Sequence, residues 1–276
     1  MTITIQCADS VGLISIVSSI LKEAGCNIIA MREHVAEDAP LFFARVITED
    51  GEKHTEHIKT RLEAALPKGA KIAVNSAQEK KIVVLVTKEY HCLGDILLRN
   101  HFKNLSASVA CVIGNYEELG TLCEKFDVPF YYISHEGKSK KQFESEIKEK
   151  VELFNPDYLV LAKFMRILSS NFVAGFPKRI INIHHSFLPA FIGANPYKQA
   201  YERGVKLIGA TAHFVTDNLD EGPIIAQQII HVNHAYTATS MRQAGKEIET
   251  AVLAQALKTV FEDRVFVYNN KTVVFE

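Results

Sequence analysis

Five apolar runs between residues 82 and 184, separated by helix-length segments, constrain this chain more than any other feature. They are Ile82–Thr87, Ser108–Ile113, Phe130–Ser134, Tyr158–Ala162 and Ile180–His184. Strands alternating with helices argue for a mostly parallel, doubly wound α/β sheet. In such a sheet, ligands bind beyond the carboxyl ends of the strands, where the strand order reverses. The end of Ile180–His184 is therefore the first place to look for chemistry. Thr239–Phe261 is a long helical pattern, and Val265–Val267 with Thr272–Phe275 around Asn269-Asn270 reads as a closing hairpin. This second domain is expected to span 82–276.

Residues 1–78 follow a different rhythm. Thr2–Ala8 alternates apolar and polar side chains, as a half-buried strand does. Asp9 and Ser10 offer helix N-caps ahead of Leu13, Ile16, Val17, Ile20 and Leu21, which recur at helical spacing up to Gly25. Two strand-like runs, Asn27–Val35 and Leu41–Thr48, join through the turn-forming Glu37-Asp38-Ala39-Pro40. A charged amphipathic segment, Lys53–Leu66, and a last run, Lys71–Val74, complete the order β-α-β-β-α-β. That order is the split βαβ of a ferredoxin-like α+β domain, and Ser76–Lys81 reads as its linker.

Composition narrows the function classes. At 276 residues, 47% hydrophobic and 23% charged, the chain has ample material for two folded domains. Lys+Arg 31 against Asp+Glu 32 leaves a net charge of −1, so no global field draws it to nucleic acid or membrane. A local patch stays open. The longest uncharged stretches, Ile180–Tyr197 and Pro223–Met241, contain Pro, His and Asn or Gln, which a bilayer core penalises. The opening MTITIQCADS lacks the pattern of a secretory signal. Five cysteines (Cys7, Cys26, Cys92, Cys111, Cys123) are odd in number and never spaced CxxC, so free thiols in a reducing cytoplasm are expected.

The densest polar cluster is Asn182-Ile183-His184-His185-Ser186-Phe187-Leu188-Pro189. Strand alternation puts Asn182 and His184 on one face. An amide donor beside an imidazole can serve a developing oxyanion and a departing amine. The alternative is a buried polar pair satisfied by backbone groups. A second segment, His213-Phe214-Val215-Thr216-Asp217-Asn218-Leu219-Asp220-Glu221-Gly222-Pro223, supplies carboxylates in a loop after another strand. One near an imidazole could act as general base or fix its protonation state. The alternative there is a solvated acidic turn.

Together, N-I-H-x-S-x-L-P and H-F-V-x-x-x-x-D-x-G-P-I-I resemble the folate-dependent formyltransferase family. The resemblance implies a catalytic trio of Asn182, His184 and Asp220. It also implies a pterin-binding segment at Phe164-Met165-Arg166-Ile167-Leu168. Met165, Ile167 and Leu168, which pattern alone would place in a core, become a folate-pocket wall. Arg166 is either a substrate contact or a surface ion pair. His91 through Asp95 follow the first strand's carboxyl end and are expected to line the site, together with His213. His185 and Ser186 are expected to shape its loop. Residues 1–78 resemble an ACT regulatory module with its D-x-x-G turn at Asp9 and Gly12. That implies an amino-acid effector and a homo-oligomer, and the fusion as a whole resembles the family's deformylase members. No cofactor or metal is implied, because the folate is the substrate.

The acceptor can be argued by chemistry. A sugar-phosphate amine needs a phosphate cradle, commonly a Gly-rich turn after the first strand. Here that turn reads Thr87-Lys88-Glu89-Tyr90-His91-Cys92-Leu93-Gly94, without clustered glycines. A tRNA acceptor would call for a basic face and a further C-terminal domain, and neither is expected. Water is left. The expected reaction is hydrolysis of 10-formyltetrahydrofolate to formate and tetrahydrofolate, which would supply formate for purine synthesis and balance one-carbon folate pools. Asn182 and protonated His184 would stabilise the oxyanion while Asp220 orients and deprotonates water. The alternatives are formyl transfer to a small amine and a non-catalytic folate or amino-acid sensor. His54-x-x-His57 and His231-x-x-His234 lack a third ligand at plausible spacing and are expected to be structural or solvated. Lys138–Lys141 is expected to be solvated, and Cys92 to pack at a helix start.

Overall fold

A computed structural model describes residues 1–49, 54–75, 79–190 and 195–276. The chain divides into two compact units, Met1–Gln78 with Glu262–Glu276, and Glu79–Phe261. In the first, β1 (Thr2–Ala8), α1 (Leu13–Glu23), β2 (Asn27–Val35), β3 (Leu41–Glu49), α2 (Thr55–Ala65) and β4 (Lys71–Asn75) follow one another. Their four strands form an antiparallel sheet in the order β2-β3-β1-β4. Alternate positions of β1 (Ile3, Ile5, Cys7) and of β3 (Phe42, Ala44, Val46) bury against Val17 and Leu21 of α1 and Ile58 and Leu62 of α2. The period-two pattern of these strands thus supplies one apolar face, which the helices cover.

Three sequence expectations change here. Gly12, not Asp9 or Ser10, occupies the N-cap of α1, with φ +91° and no side-chain cap. Only glycine reaches that backbone region without steric cost, and Asp9 lies three residues too early. Its amide instead donates to the Pro40 carbonyl at 2.9 Å. Of the expected linker Ser76–Lys81, residues 76–78 lie outside the described residues, as does Lys53 of the amphipathic segment. Lys80 and Lys81 already belong to the next strand.

The third change concerns the C-terminus. The hairpin forms, with β12 (Val265–Tyr268) and β13 (Lys271–Val274) joined through Asn269 and Asn270 at φ +43° and +59°. It packs in the first unit, however, not in the second. Phe266 and Phe275 cluster with Ala36 and Phe43. Phe43 and Phe266 meet edge-on with ring centroids 5.6 Å apart. Arg45 donates to the Glu262 carbonyl at 3.2 and 2.8 Å, and Tyr268 and Lys271 both bond Asp38. The physical reason lies in β3. Its successive residues Phe42 and Phe43 point to opposite faces, so the helices can cover only one of them, and the hairpin covers the other.

The second unit contains β5 (Lys80–Val86), α3 (His91–His101), β6 (Ala107–Gly114), α4 (Gly120–Glu124), β7 (Phe130–Tyr132), α5 (Lys140–Phe154) and β8 (Tyr158–Leu161). It continues with α6 (Ser170–Ala174), β9 (Ile180–His184), α7 (Pro196–Arg203), β10 (Leu207–Phe214), β11 (Ile224–His231) and α8 (Ala238–Phe261). Seven strands run β11-β10-β9-β8-β5-β6-β7. Strands β5 to β9 pair in parallel, and β10 is antiparallel to both neighbours. Val83, Leu85, Leu159, Leu161 and Ile180 pack on Phe143, Ile147 and Val151 of α5. The strand order reverses between β5 and β8, which opens a crevice at their carboxyl ends. None of the five cysteines forms a disulfide, and all are buried. No helix among the described residues is long and apolar enough to cross a membrane.

Truncating Phe266 to Ala should destabilise the first unit by about 3–5 kcal/mol, the range for emptying an aromatic core site. Amide hydrogen exchange should speed up in β3 and stay unchanged in β5. Unaltered protection of β3 would show that the hairpin is not part of that unit's core.

Candidate active site

The site begins with strand pairing. Asn182 and His184 share one face of β9, and the antiparallel partner β10 sets His213 directly opposite Asn182 and Thr211 opposite His184. His213 Nδ1 lies 2.9 Å from the Phe214 carbonyl, an acceptor only, so the network assigns the ring proton to Nδ1. In the neutral ring Nε2 takes a hydrogen bond from Asn182 Nδ2 at 3.2 Å, and in the protonated ring the same nitrogen turns donor towards Asp220 Oδ1 at 3.6 Å. The bond from Asn182 fixes the amide and leaves its second N–H available. Thr211 is fully buried and pins the chain after β9: its hydroxyl donates to the Ser186 carbonyl at 2.9 Å and accepts from the Leu188 amide at 3.1 Å.

The carboxylate arrives by a tight reversal between β10 and β11. The Phe214 amide donates to the Pro223 carbonyl at 2.9 Å. A Cβ on Gly222 would stand 1.8 Å from the Phe214 oxygen, so only glycine permits the approach. Asp220 itself sits in the left-handed region at φ +57°, which Asp tolerates better than most residues. Its Oδ2 lies 3.3 Å from His184 Nδ1 and its Oδ1 lies 3.6 Å from His213 Nε2. Burial raises the Asp220 carboxyl, but bonding and charge from His184 and His213 outweigh it and hold the group well below the usual carboxylate range. His184 is 5% exposed, and its Nε2 is buried with no hydrogen-bond partner. A buried imidazole nitrogen left unpaired beside a fixed carboxylate is prepared for a group that arrives later.

These residues open on a cavity of about 280 Å³, which is also lined by Lys163, Phe164, Met165, Arg166, Ile167 and Leu168. Met165 and Ile167 are 54% and 61% exposed and belong to no core cluster. They are wall, not core. The Met165 amide donates to the Thr87 hydroxyl at 2.9 Å, which ties the loop after β8 to the end of β5. Arg166 is exposed and makes no ion pair among the described residues. His185 lines the same cavity. Burial and the Lys163 charge push its imidazole down to about 4, so it is neutral near pH 7.

Two expected site residues lie elsewhere. Ser186 is turned away, donating to the Ala190 carbonyl at 2.7 Å. His91 faces a neighbouring cavity and bonds Glu249 Oε2 at 2.8 Å. Phe191, two residues beyond Pro189 at the end of the N-I-H-x-S-x-L-P motif, lies outside the described residues. Asp9 and Gly12 belong to the first unit and are exposed.

Sequence reading missed a whole second cluster. Glu249 of α8 is 1% exposed and is bonded by His91, by Lys163 Nζ at 3.1 Å and by the Tyr197 hydroxyl at 2.7 Å. Burial opposes its ionisation, but His91, Lys163 and Tyr197 hold its carboxyl at about 2. Gly245, one turn earlier, makes room: a Cβ there would lie 2.1 Å from the Tyr197 ring. The one available signal was a lone Glu among apolar helix positions. His91, Cys92 and Glu249 place potential ligand atoms within 4.8 Å of one another. Lys163 already supplies the cation there, and burial drives the Cys92 thiol well above its ordinary value. His54, His57, His231 and His234 are all exposed.

Comparison with known proteins agrees with this geometry. The family described as formyl transferase matches residues 80–257. A formyltetrahydrofolate deformylase from Escherichia coli O6:H1 (strain CFT073) is 50% identical over 268 residues, covering 97% of this chain and 95% of its own length. The crystal structure of a formyltetrahydrofolate deformylase from Pseudomonas syringae pv. tomato superposes with a TM-score of 0.94 at 38% identity, over 100% of this chain and 94% of that one. Glycinamide ribonucleotide transformylase 1 from Symbiobacterium toebii gives 0.70 at 28% identity, over 76% of this chain and 100% of its own.

The Asp220 carboxyl also generates a pH prediction. Because it is depressed below its ordinary 3.8 in the folded protein, the unfolded chain binds that proton first. Its stabilisation is therefore complete above about pH 4 and is lost as the pH falls further. In denaturant unfolding, the stability gap between the parent protein and Asp220→Asn should narrow as the pH falls from 5 towards 3. A gap independent of pH would show that the carboxylate is not held ionised.

Proposed function

The chain belongs to the formyltetrahydrofolate deformylase family, and we propose that it hydrolyses 10-formyltetrahydrofolate to formate and tetrahydrofolate at Asn182, His184 and Asp220. The observation that carries the reading is the buried, unpartnered Nε2 of His184, with its Nδ1 held 3.3 Å from an ionised Asp220.

The folate lies along the Met165–Leu168 wall with its formyl group over the trio. Asp220 orients a water molecule against the formyl carbon. A carboxylate this acidic is a weak base towards bulk water, so it takes the proton as the attacking oxygen gains positive charge in forming the bond. The carbonyl oxygen becomes an oxyanion. The free N–H of Asn182 and the Nε2–H of protonated His184 bind it. Collapse of the intermediate breaks the bond to N10, which receives the proton. Formate and tetrahydrofolate leave. The formate is then available to purine synthesis and the one-carbon folate pools.

We assign Asp9 and Gly12 to an amino-acid effector loop of an ACT-like first unit, which pairs with a second copy of the chain. Supporting this are the edge position of β2 and a set of exposed apolar side chains, Val11, Ile14, Ile29 and Val35, on the same unit.

Incubating purified protein with 10-formyltetrahydrofolate and water alone should release formate and tetrahydrofolate in equal amounts. Asp220→Asn should retain folate binding while kcat falls by about 10²–10⁴, the usual worth of a positioned acid–base group. Turnover near that of the parent would remove Asp220 from the mechanism. Gel filtration at micromolar concentration should show an oligomer, and a monomer would dismiss the pairing.

A further inference from the structure

The catalytic cavity has a neighbour. A second cavity of about 200 Å³ lies against it, and the two share Lys163, Met165 and His185 as their common wall. Lys163 is 7% exposed, and its backbone is held at φ +62°. A left-handed backbone is strained for lysine and easy for glycine. Such strain persists only where the surroundings impose it. Glu249 fixes the side chain, binding the ammonium at 3.1 Å while His91 and Tyr197 bind the same carboxylate. Three elements beyond the lysine's own loop (α3, α7 and α8) therefore converge to hold one cation at the junction of two cavities.

The neighbouring cavity is also cationic. Besides Lys163 it is lined by Lys198, Arg242 and Lys246. Its two carboxylates are both engaged, Glu249 as above and Glu89 with Lys246 at 2.7 Å. Among the described lining residues, no unpaired carboxylate is left to receive an ammonium group.

We propose that Lys163 is the specificity residue that reserves the formyl group for water, by closing the catalytic cavity to amines on the side of the second cavity. This rests on the hydrolytic reading above. Amines of ordinary basicity are mostly protonated near neutral pH. An amine approaching the trio from that side meets the buried Lys163–Glu249 pair standing in the shared wall, whereas water is small enough to enter. This is discrimination by exclusion. With the passage open, the alternative reaction is a simple transfer. The amine nitrogen bonds the formyl carbon, the bond from that carbon to N10 breaks, and one proton moves from the amine to N10. A formamide and tetrahydrofolate leave, with no change in oxidation state.

The test is product partition in Lys163→Gly, because glycine accepts the φ of this position and relieves its strain. Parent protein, Lys163→Gly and Lys163→Arg are each given 10-formyltetrahydrofolate with glycinamide, and formate and N-formylglycinamide are measured by mass spectrometry. Folate binding by equilibrium dialysis confirms that the variants are folded. The parent and Lys163→Arg should yield formate alone. Lys163→Gly should raise the ratio of formamide to formate at least about tenfold, the lower end of what pocket shape discriminates. A purely structural lysine would lower both products together and leave that ratio unmoved. A folate-binding Lys163→Gly that yields formate alone, or neither product, would overturn the proposal. Failure of the parent protein to release formate in water would instead overturn the hydrolytic reading, whatever the variant does.

Discussion

The approach of Gly222 to the Phe214 carbonyl is the contact on which the candidate site depends. Antiparallel pairing of β9 with β10 can place only residues that lie on those two strands, and it does so for Asn182, His184 and His213. Asp220 lies on neither strand. It reaches them because the chain reverses within a few residues, with the Phe214 amide bonded to the Pro223 carbonyl. A side chain at position 222 would lift that loop, and the carboxylate would leave hydrogen-bond range of His184. A glycine without chemistry of its own thus sets the position of the Asp220 carboxylate.

The crevice contains two buried carboxylates, and each is kept ionised by different means. Asp220 is held by two imidazoles, groups that can gain or lose a proton near neutral pH. Glu249 is held chiefly by His91 and by the ammonium of Lys163, with a tyrosine hydroxyl completing its bonds. The first arrangement suits proton transfer, because its partners can change state during a reaction. The second suits permanence, because a carboxylate held at about 2 by three partners stays ionised across the working range. Breaking such a buried pair from one side leaves an uncompensated charge, which is far costlier than exchanging the pair for apolar groups.

Much of the fold was legible in the sequence, and the reasons are local. The five runs from Ile82 to His184 fall on β5 to β9 to within two residues at each end, because continuous apolar strands between helices have few alternatives. Thr239–Phe261 and the Asn269-Asn270 turn likewise follow from periodicity and turn chemistry. Where Phe266 and Phe275 pack was not legible, since a hairpin's partner is set by a surface far away in sequence. The adjacent Phe42 and Phe43 did hint at a strand covered on both faces. At the site, Asn182, His184 and Asp220 were named from motifs, whereas the partnership of His213 with Asn182 required strand register. Glu249, Tyr197 and Lys163 are separated by 34 residues or more. No spacing rule links them, and only tertiary structure shows that Lys163 carries an unfavourable φ.

His185 is the joint between the two charge clusters, and its neutrality lets them work separately. It stands in the wall shared by both cavities, and its ring lies 5.1 Å from that of His184 and 6.2 Å from that of Tyr197. A charge there would add a cation between Lys163 and His184. Burial and the Lys163 ammonium both act against that charge and push the imidazole down to about 4. The cation that closes the cavity on one side thus keeps the intervening ring uncharged.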